Sequence, residues 1–303
     1  MRALNLPGET PAPGLGHGIP MPEVALRVEL RELAVELAIE AGRFVRDQRP
    51  ARVDIAETKA TSLDVVTVMD TQAEALLRRN IALERPVDGV LGEEDGLTAG
   101  TSGLTWVLDP IDGTVNYLYD IPAYAVSVAV VIGDPTVSGA WTPVAAAVFN
   151  PGVDEMFDAH AGGGSRVSSA GGGSFPRPHD LAAPEPDSLA GALVGTGFSY
   201  DTALRRRQGL VATELLPQVR DLRRIGAASL DLCAVGAGRL NGYYESGLKA
   251  WDMAAGALIA AEAGAVVSGL DGPPGEAMVL AAAPRLYPDL RRALQQAQRE
   301  SEH

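Results

Sequence analysis

A single cysteine, Cys233, stands in 303 residues, which excludes an intramolecular disulfide and any metal cluster built on thiolates. It falls in an apolar helical pattern and reads as a small buried side chain, not a nucleophile, in keeping with a reducing cytoplasm. Basic residues are also scarce. Against 39 Asp and Glu there are 25 Lys and Arg, and the net charge of −14 argues against a nucleic-acid or anionic-membrane surface, which needs clustered cations. No stretch reaches the ~18 consecutive apolar residues of a membrane span. Residues 1–22 lack the basic start and continuous apolar core of a secretory signal. The four histidines, His17, His160, His179 and His303, fall in tail or loop contexts, so none is assigned to catalysis. Solubility explains most of the acidic excess, and part of it is available as metal-binding carboxylate.

What is present suits a mixed α and β protein. Apolar residues make up 46% of the chain, enough to fill one large domain or two that share a core, while 34 Gly and 21 Pro indicate many turns. Residues 1–22, rich in Pro and Gly and without periodicity, read as a disordered tail. Leu26, Leu30, Leu33, Leu37, Ala41 and Val45 step by three and four and predict a long helix ending near Arg49-Pro50. A second helix is predicted from Asp70 to about Leu83, and strands at 87–91 and 105–108. Residues 123–133 and 139–149 read as paired strands joined at Asp134-Pro135, with 153–157 continuing the sheet. The Gly-rich run 162–173 lacks the Gly-Lys-Ser/Thr ending of a phosphate loop and reads as a flexible hairpin loop. Beyond Pro184 strands (191–197, 221–225, 242–245) alternate with helices (202–219, 227–237, 251–263), followed by two strands and a helix from Tyr287. Gly236-Ala237-Gly238 closes a helix instead of opening one, so it is no dinucleotide fingerprint.

The segment Trp106 to Thr114 is the most informative. Pro110 separates Asp109 from Asp112 and pushes Asp109 into extended chain, so that Asp112 falls at or near a helix start. Two acidic oxygen ligands on such a corner suit Mg²⁺, and the N–H groups of Gly113 and Thr114 suit a phosphate. Acidic groups also occur at other element ends: Asp70, Glu93 with Glu94, and Asp252. Helix capping alone would account for Asp252, and a solvated turn for Glu93-Glu94.

These segments together resemble the inositol monophosphatase family, within the lithium-sensitive phosphatase superfamily. The matching strings are Thr58-Lys59 with Asp64 to Asp70, Gly92-Glu93-Glu94, Trp106 to Asn116, Arg224 to Ala228, Tyr243-Tyr244-Glu245, and Trp251-Asp252 ahead of the helix to Gly264-Ala265, in order from about residue 24 to 298. The resemblance implies an α/β (α+β) fold, a layered αβαβα sandwich with the site between two sheet regions, and usually a homodimer. It implies a phosphatase domain over 23–303, with a metal-site α+β half (23–180) and an α/β half (181–303). Glu93, Asp109 and the Ile111 carbonyl would bind one Mg²⁺, and Asp109, Asp112 and Asp252 a second; a third, weaker ion would lean on Glu93. Two departures stand out. Residues 162–175 lack the family's usual string, and Ala227 replaces the Thr of some members.

The chemistry follows from these residue types. A phosphate monoester dianion repels hydroxide, so the site must neutralise charge and supply a deprotonated water, which two Mg²⁺ ~3.5–4 Å apart do. Glu93 can take up a proton from the water; Thr114, bonded to Asp70, would orient it; Gly113 and Thr114 N–H groups would hold phosphoryl oxygens. The resemblance further implies a substrate pocket of Asp112, Asp252, Glu245 and the Gly226-Ala227-Ala228 backbone, with Glu245 matching the carboxylate that inositol-selective members use to accept vicinal hydroxyls. The expected activity is a Mg²⁺-dependent phosphoric monoester hydrolase acting on inositol 1-phosphate or a similar polyol phosphate. Lys249 could instead meet a second phosphate, which leaves open 3′-phosphoadenosine nucleotides, fructose 1,6-bisphosphate and NADP; histidinol phosphate is a further alternative on the same fold. A non-catalytic dimeric interaction module is the reading of a different class.

Overall fold

In the computed structural model of the protein, residues 20–50, 55–58, 65–171, 177–184, 186 and 188–301 are described. Residues 1–19 of the predicted tail, as well as Lys59 and Asp64, lie outside them; Pro20 to Pro22 carry no regular structure.

The first helix, α1 (Val24–Asp47), buries Leu30, Ala34, Leu37, Ala41 and Val45 along one stripe and stops ahead of Arg49-Pro50. A residue before proline is disfavoured in a helix, which sets that end. A short antiparallel pair follows, β1 (Ile55–Thr58) with β2 (Val65–Thr67), which sequence periodicity did not reveal. Then α2 (Val68–Glu84) begins in a capping box: Thr67 accepts from Met69 N, and the Asp70 carboxylate accepts from Thr67 N.

Among the described residues eight strands form the larger sheet. They are β3 (Gly89–Gly92), β4 (Gly96–Thr98), β5 (Leu104–Asp112) and, past the one-turn helix α3 (Thr114–Leu118), β6 (Ala125–Gly133), β7 (Trp141–Asn150), β8 (Glu155–His160), β9 (Ser165–Ser168) and β10 (His179–Asp180). The order is β10-β9-β8-β7-β6-β5-β3-β4, with β3 and β5 parallel and the other neighbours antiparallel. β5, β6 and β7 are apolar on both faces, because both are covered. Trp106, Leu108, Val128, Val130, Ala147 and Phe149 pack with α1 and α2, while the alternate residues Val107, Ala129, Val131, Ala146 and Val148 face the opposite way.

The remaining chain adds β11 (Leu193–Thr196), α4 (Thr202–Leu215), β12 (Asp221–Arg223), α5 (Ala228–Gly236), β13 (Gly242–Glu245), α6 (Ala250–Glu262), β14 (Val266–Ser268), β15 (Val279–Ala282) and α7 (Tyr287–Ser301). Its five-stranded sheet runs β12-β11-β13-β15-β14, parallel across β12-β11-β13 and antiparallel on either side of β15. α5 and α6 are apolar nearly all round because they lie between the two sheets, touching Val107 and Val148 on one side and Tyr243 and Ala281 on the other. α4 and α7 cover the outer face through Val211, Leu215, Leu290 and Leu294. The layers are therefore α1/α2, eight strands, α5/α6, five strands and α4/α7, an αβαβα sandwich.

Three sequence expectations are corrected. Residues 165–168 of the Gly-rich run are strand, because Ser165 and Val167 alternate inward and pair with β8. The N–H groups of Gly162 and Gly164 donate to the Glu262 carboxylate at 2.7 and 2.8 Å, so they are already occupied; residues 172–176 lie outside the described residues. His160 and His179 sit in strands instead of loops, and His160 is buried. α4 ends at Leu215, where Pro217 imposes a 3₁₀ turn. Cys233 is fully buried in α5, as its apolar context predicts.

Candidate active site

β5 delivers Asp109 and Asp112 at its carboxyl end. Pro110 cannot donate to a ladder, and the pairing with β6 shifts register between the two acids. The chain then turns through Gly113 at φ +92°, a left-handed conformation that glycine adopts without strain. A Cβ there would lie 2.9 Å from the Ala123 carbonyl oxygen and 3.2 Å from that of Gly226, so the turn also depends on the missing side chain. Thr114 opens α3, and its hydroxyl stands 3.1 Å from Asp70 Oδ1 and 3.0 Å from the Ile111 carbonyl. On its other side the buried Asp70 carboxylate accepts the N–H of Thr67 at 2.8 Å and its hydroxyl. Burial pushes Asp70 up to about 6 against the lowering effect of these bonds.

Two further acids reach this corner from elsewhere, Glu93 and Asp252. Glu93 follows β3 directly, its N–H bonded to the Leu108 carbonyl at 3.2 Å. The buried Glu74 carboxylate of α2 holds the following turn by accepting Glu94 N at 2.8 Å and Asp95 N at 3.0 Å, while Arg78 pairs with it at 2.7 Å. Asp252 lies in the first turn of α6 and accepts Lys249 N at 2.6 Å. That turn sits over the end of β5. Ser127, the cross-strand partner of Asp109, reaches the Trp251 carbonyl at 3.4 Å.

Asp112 ties the two sheets together. Ala228 N donates to Oδ1 at 3.2 Å, and Ser229 N at 2.7 Å and the Ser229 hydroxyl to Oδ2, so the carboxylate caps α5 across more than a hundred residues. These three bonds leave one of about four lone-pair sites on the carboxylate. Asn116 reinforces the junction by donating to Ala123 O at 2.7 Å and Ile225 O at 3.0 Å. The Gly226–Ala228 turn is thereby brought against Gly113.

The electrostatics of the cluster are those of an uncompensated anion. Burial and then the charges of Glu93, Asp112 and Asp252 raise Asp109 well above the usual carboxylate range. Asp252 rises through burial and then Glu93, with Asp112 and Glu245 adding to it. Asp112 rises through burial, moderated by Ser229, Ala228 and Arg224. No cation is among the strongest influences on Asp109 or Asp252. Among the described residues no three of these groups already stand in ligating geometry, so the fit to a metal rests on the donor set. That set is buried, all oxygen and mutually repelling, which suits a hard divalent cation and not a transition metal that prefers nitrogen or sulfur.

Glu245, at the end of β13, accepts the Tyr243 hydroxyl on Oε2; burial raises it to about 7, partly offset by that bond and by Arg224. Lys249 is engaged with Glu276 at 2.6 Å on the surface and is not directed at the acidic cluster as a free phosphate ligand would be.

A sequence model of the inositol monophosphatase family matches residues 27–301. The chain belongs to that family. It is 45% identical over 282 residues to the Inositol-1-monophosphatase SuhB of Mycobacterium tuberculosis, covering 88% of this chain and 93% of that protein. A solved structure of Mycobacterium tuberculosis SuhB superposes with a TM-score of 0.74, covering 89% of this chain and 97% of that one. The Nus factor SuhB of Pasteurella multocida is 33% identical over 268 residues, covering 87% of this chain and 94% of its own length. Membership in the inositol monophosphatase family supports phosphatase chemistry for the acidic cluster.

Several residues that shape this family member's site were not singled out from sequence. Glu74 and Arg78 show only as an i,i+4 pair on α2, and Thr67 only through its capping-box spacing to Asp70, which the sequence did single out. Ser229 and Asp231 carry no local signal, because their partners are distant. Asp231 is buried, receives the Gly226 N–H, has no partner on Oδ1 among the described residues, and is pushed up to about 9 by burial and the charges of Glu245 and Asp112.

Proposed function

We propose that this inositol monophosphatase family member is a Mg²⁺-dependent phosphomonoesterase that hydrolyses inositol 1-phosphate or a similar polyol phosphate. The observation that carries the reading is the convergence of Glu93, Asp109, Asp112 and Asp252 beside the Asp70–Thr114 pair. Glu93, Asp109, the Ile111 carbonyl, Asp112 and Asp252 would hold the metal. When bound, Mg²⁺ supplies charge neutralisation for the phosphoryl dianion and a lowered pKa for the attacking water.

The chain's own groups do the rest. The two acceptors of Thr114, Asp70 Oδ1 and Ile111 O, direct its single hydroxyl proton inward and leave an oxygen lone pair to accept from a water. Above a pH of about 6 Asp70 is ionised and holds Thr114 in that orientation. Glu93 serves as the proton acceptor for the water, and the Gly113 and Thr114 N–H groups hold phosphoryl oxygens at the first turn of α3. Water attacks phosphorus, the ester P–O bond breaks with its electron pair on the leaving oxygen, and that oxygen takes up a proton. Glu245 and the Gly226–Ala228 turn, adjoining Gly113, face the leaving alcohol, and a carboxylate with one free oxygen suits hydroxyl donors.

Purified protein with inositol 1-phosphate should release phosphate only when Mg²⁺ is added. Asp109→Asn should lower kcat/KM by at least about 10²- to 10³-fold, the usual cost of removing an electrostatic stabiliser. Turnover without any divalent cation would overturn the reading. Several relatives bear the name Nus factor, that of Pasteurella multocida among them, and that observation favours a second reading, a binding protein on the same fold. Retention of all four acids with Thr114 weighs against it, and an absence of Mg²⁺ binding in calorimetry would revive it.

A further inference from the structure

A cavity of about 400 Å³ is lined in part by Glu245, and its volume is within the range that holds small molecules. Thr196 at the end of β11, Tyr244, Glu245 and Ser246 at the end of β13, and Arg207 and Gln208 of α4 supply its polar wall. These are the carboxyl ends of parallel strands, where open α/β sheets bind ligands.

The wall contains donors without acceptors. Tyr244 is only 3% exposed, and among the described residues its hydroxyl stands beside that of Thr196, another lining residue, without a hydrogen bond of good geometry. A buried phenol normally finds a partner, so this one is shaped for an acceptor brought by a ligand. Arg207, an exposed side chain, also lines the cavity and makes no hydrogen bond or ion pair among the described residues. The buried Gln208, by contrast, is locked, accepting Ser199 N at 2.7 Å and donating to Ser246 O at 2.9 Å. The wall is thus rigid where it is satisfied and open at Tyr244 and Arg207.

Glu245 joins the two compartments. Its charge acts on Asp252 and responds to Asp112, yet the same side chain lines the cavity. It reaches this position because Gly197 has no side chain: a Cβ there would overlap its carboxylate. Tyr243 holds only Oε2, on the face of β13 opposite Tyr244.

We propose that this cavity receives the outer ring of a leaving alcohol larger than one ring, so that the enzyme accepts phosphate esters of two-ring polyols, with Tyr244 and Arg207 donating to ring hydroxyls and Glu245 accepting from them. The inference rests on the phosphomonoesterase reading above.

The test compares glucose 6-phosphate with trehalose 6-phosphate, which differ by the outer ring, with inositol 1-phosphate as reference and Mg²⁺ present. The full chain should show a kcat/KM about tenfold higher for the two-ring ester, the worth of one or two hydrogen bonds. Tyr244→Phe should erase that advantage and leave the two one-ring esters unchanged. Ala277→Trp, an exposed lining position, should do the same by obstruction and keeps the test decisive if the first variant folds poorly. A two-ring ester turned over no better than glucose 6-phosphate, or an Ala277→Trp loss shared equally by all esters, would overturn the inference while the phosphatase reading stands. Failure of all three esters removes that reading, and the inference with it.

Discussion

Asp231 shows how one buried acid couples stability to pH. Its folded value of about 9 lies far above its ordinary 3.8, so it stays protonated in the fold while the unfolded chain ionises it. For a raised carboxyl the stabilising contribution is complete below the unfolded value and is lost as pH climbs toward the folded one, here from about 4 to about 9. Asp231→Asn keeps the shape and the acceptor for Gly226 N–H without this penalty. The variant should be more stable than the parent at pH 8 by about 1–3 kcal/mol, with the difference shrinking to near zero at pH 4. Thermal melts at the two pH values check this, and a pH-independent difference would refute it. Residues of this kind were not legible beforehand, since nothing near Asp231 or Ser229 in the chain marks them as neighbours of Glu245 and Asp112. Asp109, Asp112 and Thr114 were legible because proline, glycine and two carboxylates act within six positions of one another.

The β5-to-α3 corner carries the site as an element. Gly113 is held at φ +92° with the Ala123 and Gly226 carbonyls where a side chain would go. Gly113→Ala should therefore cost about 1–3 kcal/mol in backbone strain. It should also lower kcat, because Asp112 and Thr114 flank the turn; melting temperature and kcat read the two effects separately. An unchanged kcat in a folded variant would mean that the corner tolerates displacement. Long elements were readable from periodicity, as the Leu30–Val45 stripe of α1 and the apolar faces of α6 illustrate. Short ones were not. β1, β2 and β9 are three or four residues long, too few for a period of two to stand out, and β9 is embedded among glycines.

The molecule as a whole carries a net charge of −14 and concentrates four acids where its two sheets meet. A cation that binds only the folded chain should raise its stability, by about 2.7 kcal/mol at a concentration a hundred times its Kd. Mg²⁺ should thus raise the melting temperature at constant ionic strength, and Asp252→Asn should shrink the shift; an equal shift from NaCl would reduce the effect to screening. Composition, periodicity and the ordered motifs were sufficient for the fold class, the helices and the identity of the clustered acids, because those depend on local chain geometry and on side-chain type. Their convergence was not contained in any local pattern. Glu93 arrives from β3, Asp252 from α6, and Asp112 spends three of its lone-pair sites on Ala228 and Ser229 of α5. Which acids meet, how far each is desolvated, and what cavity opens beside Glu245 follow from the packing of α5 and α6 between two sheets, where groups more than a hundred residues apart share one low-dielectric site.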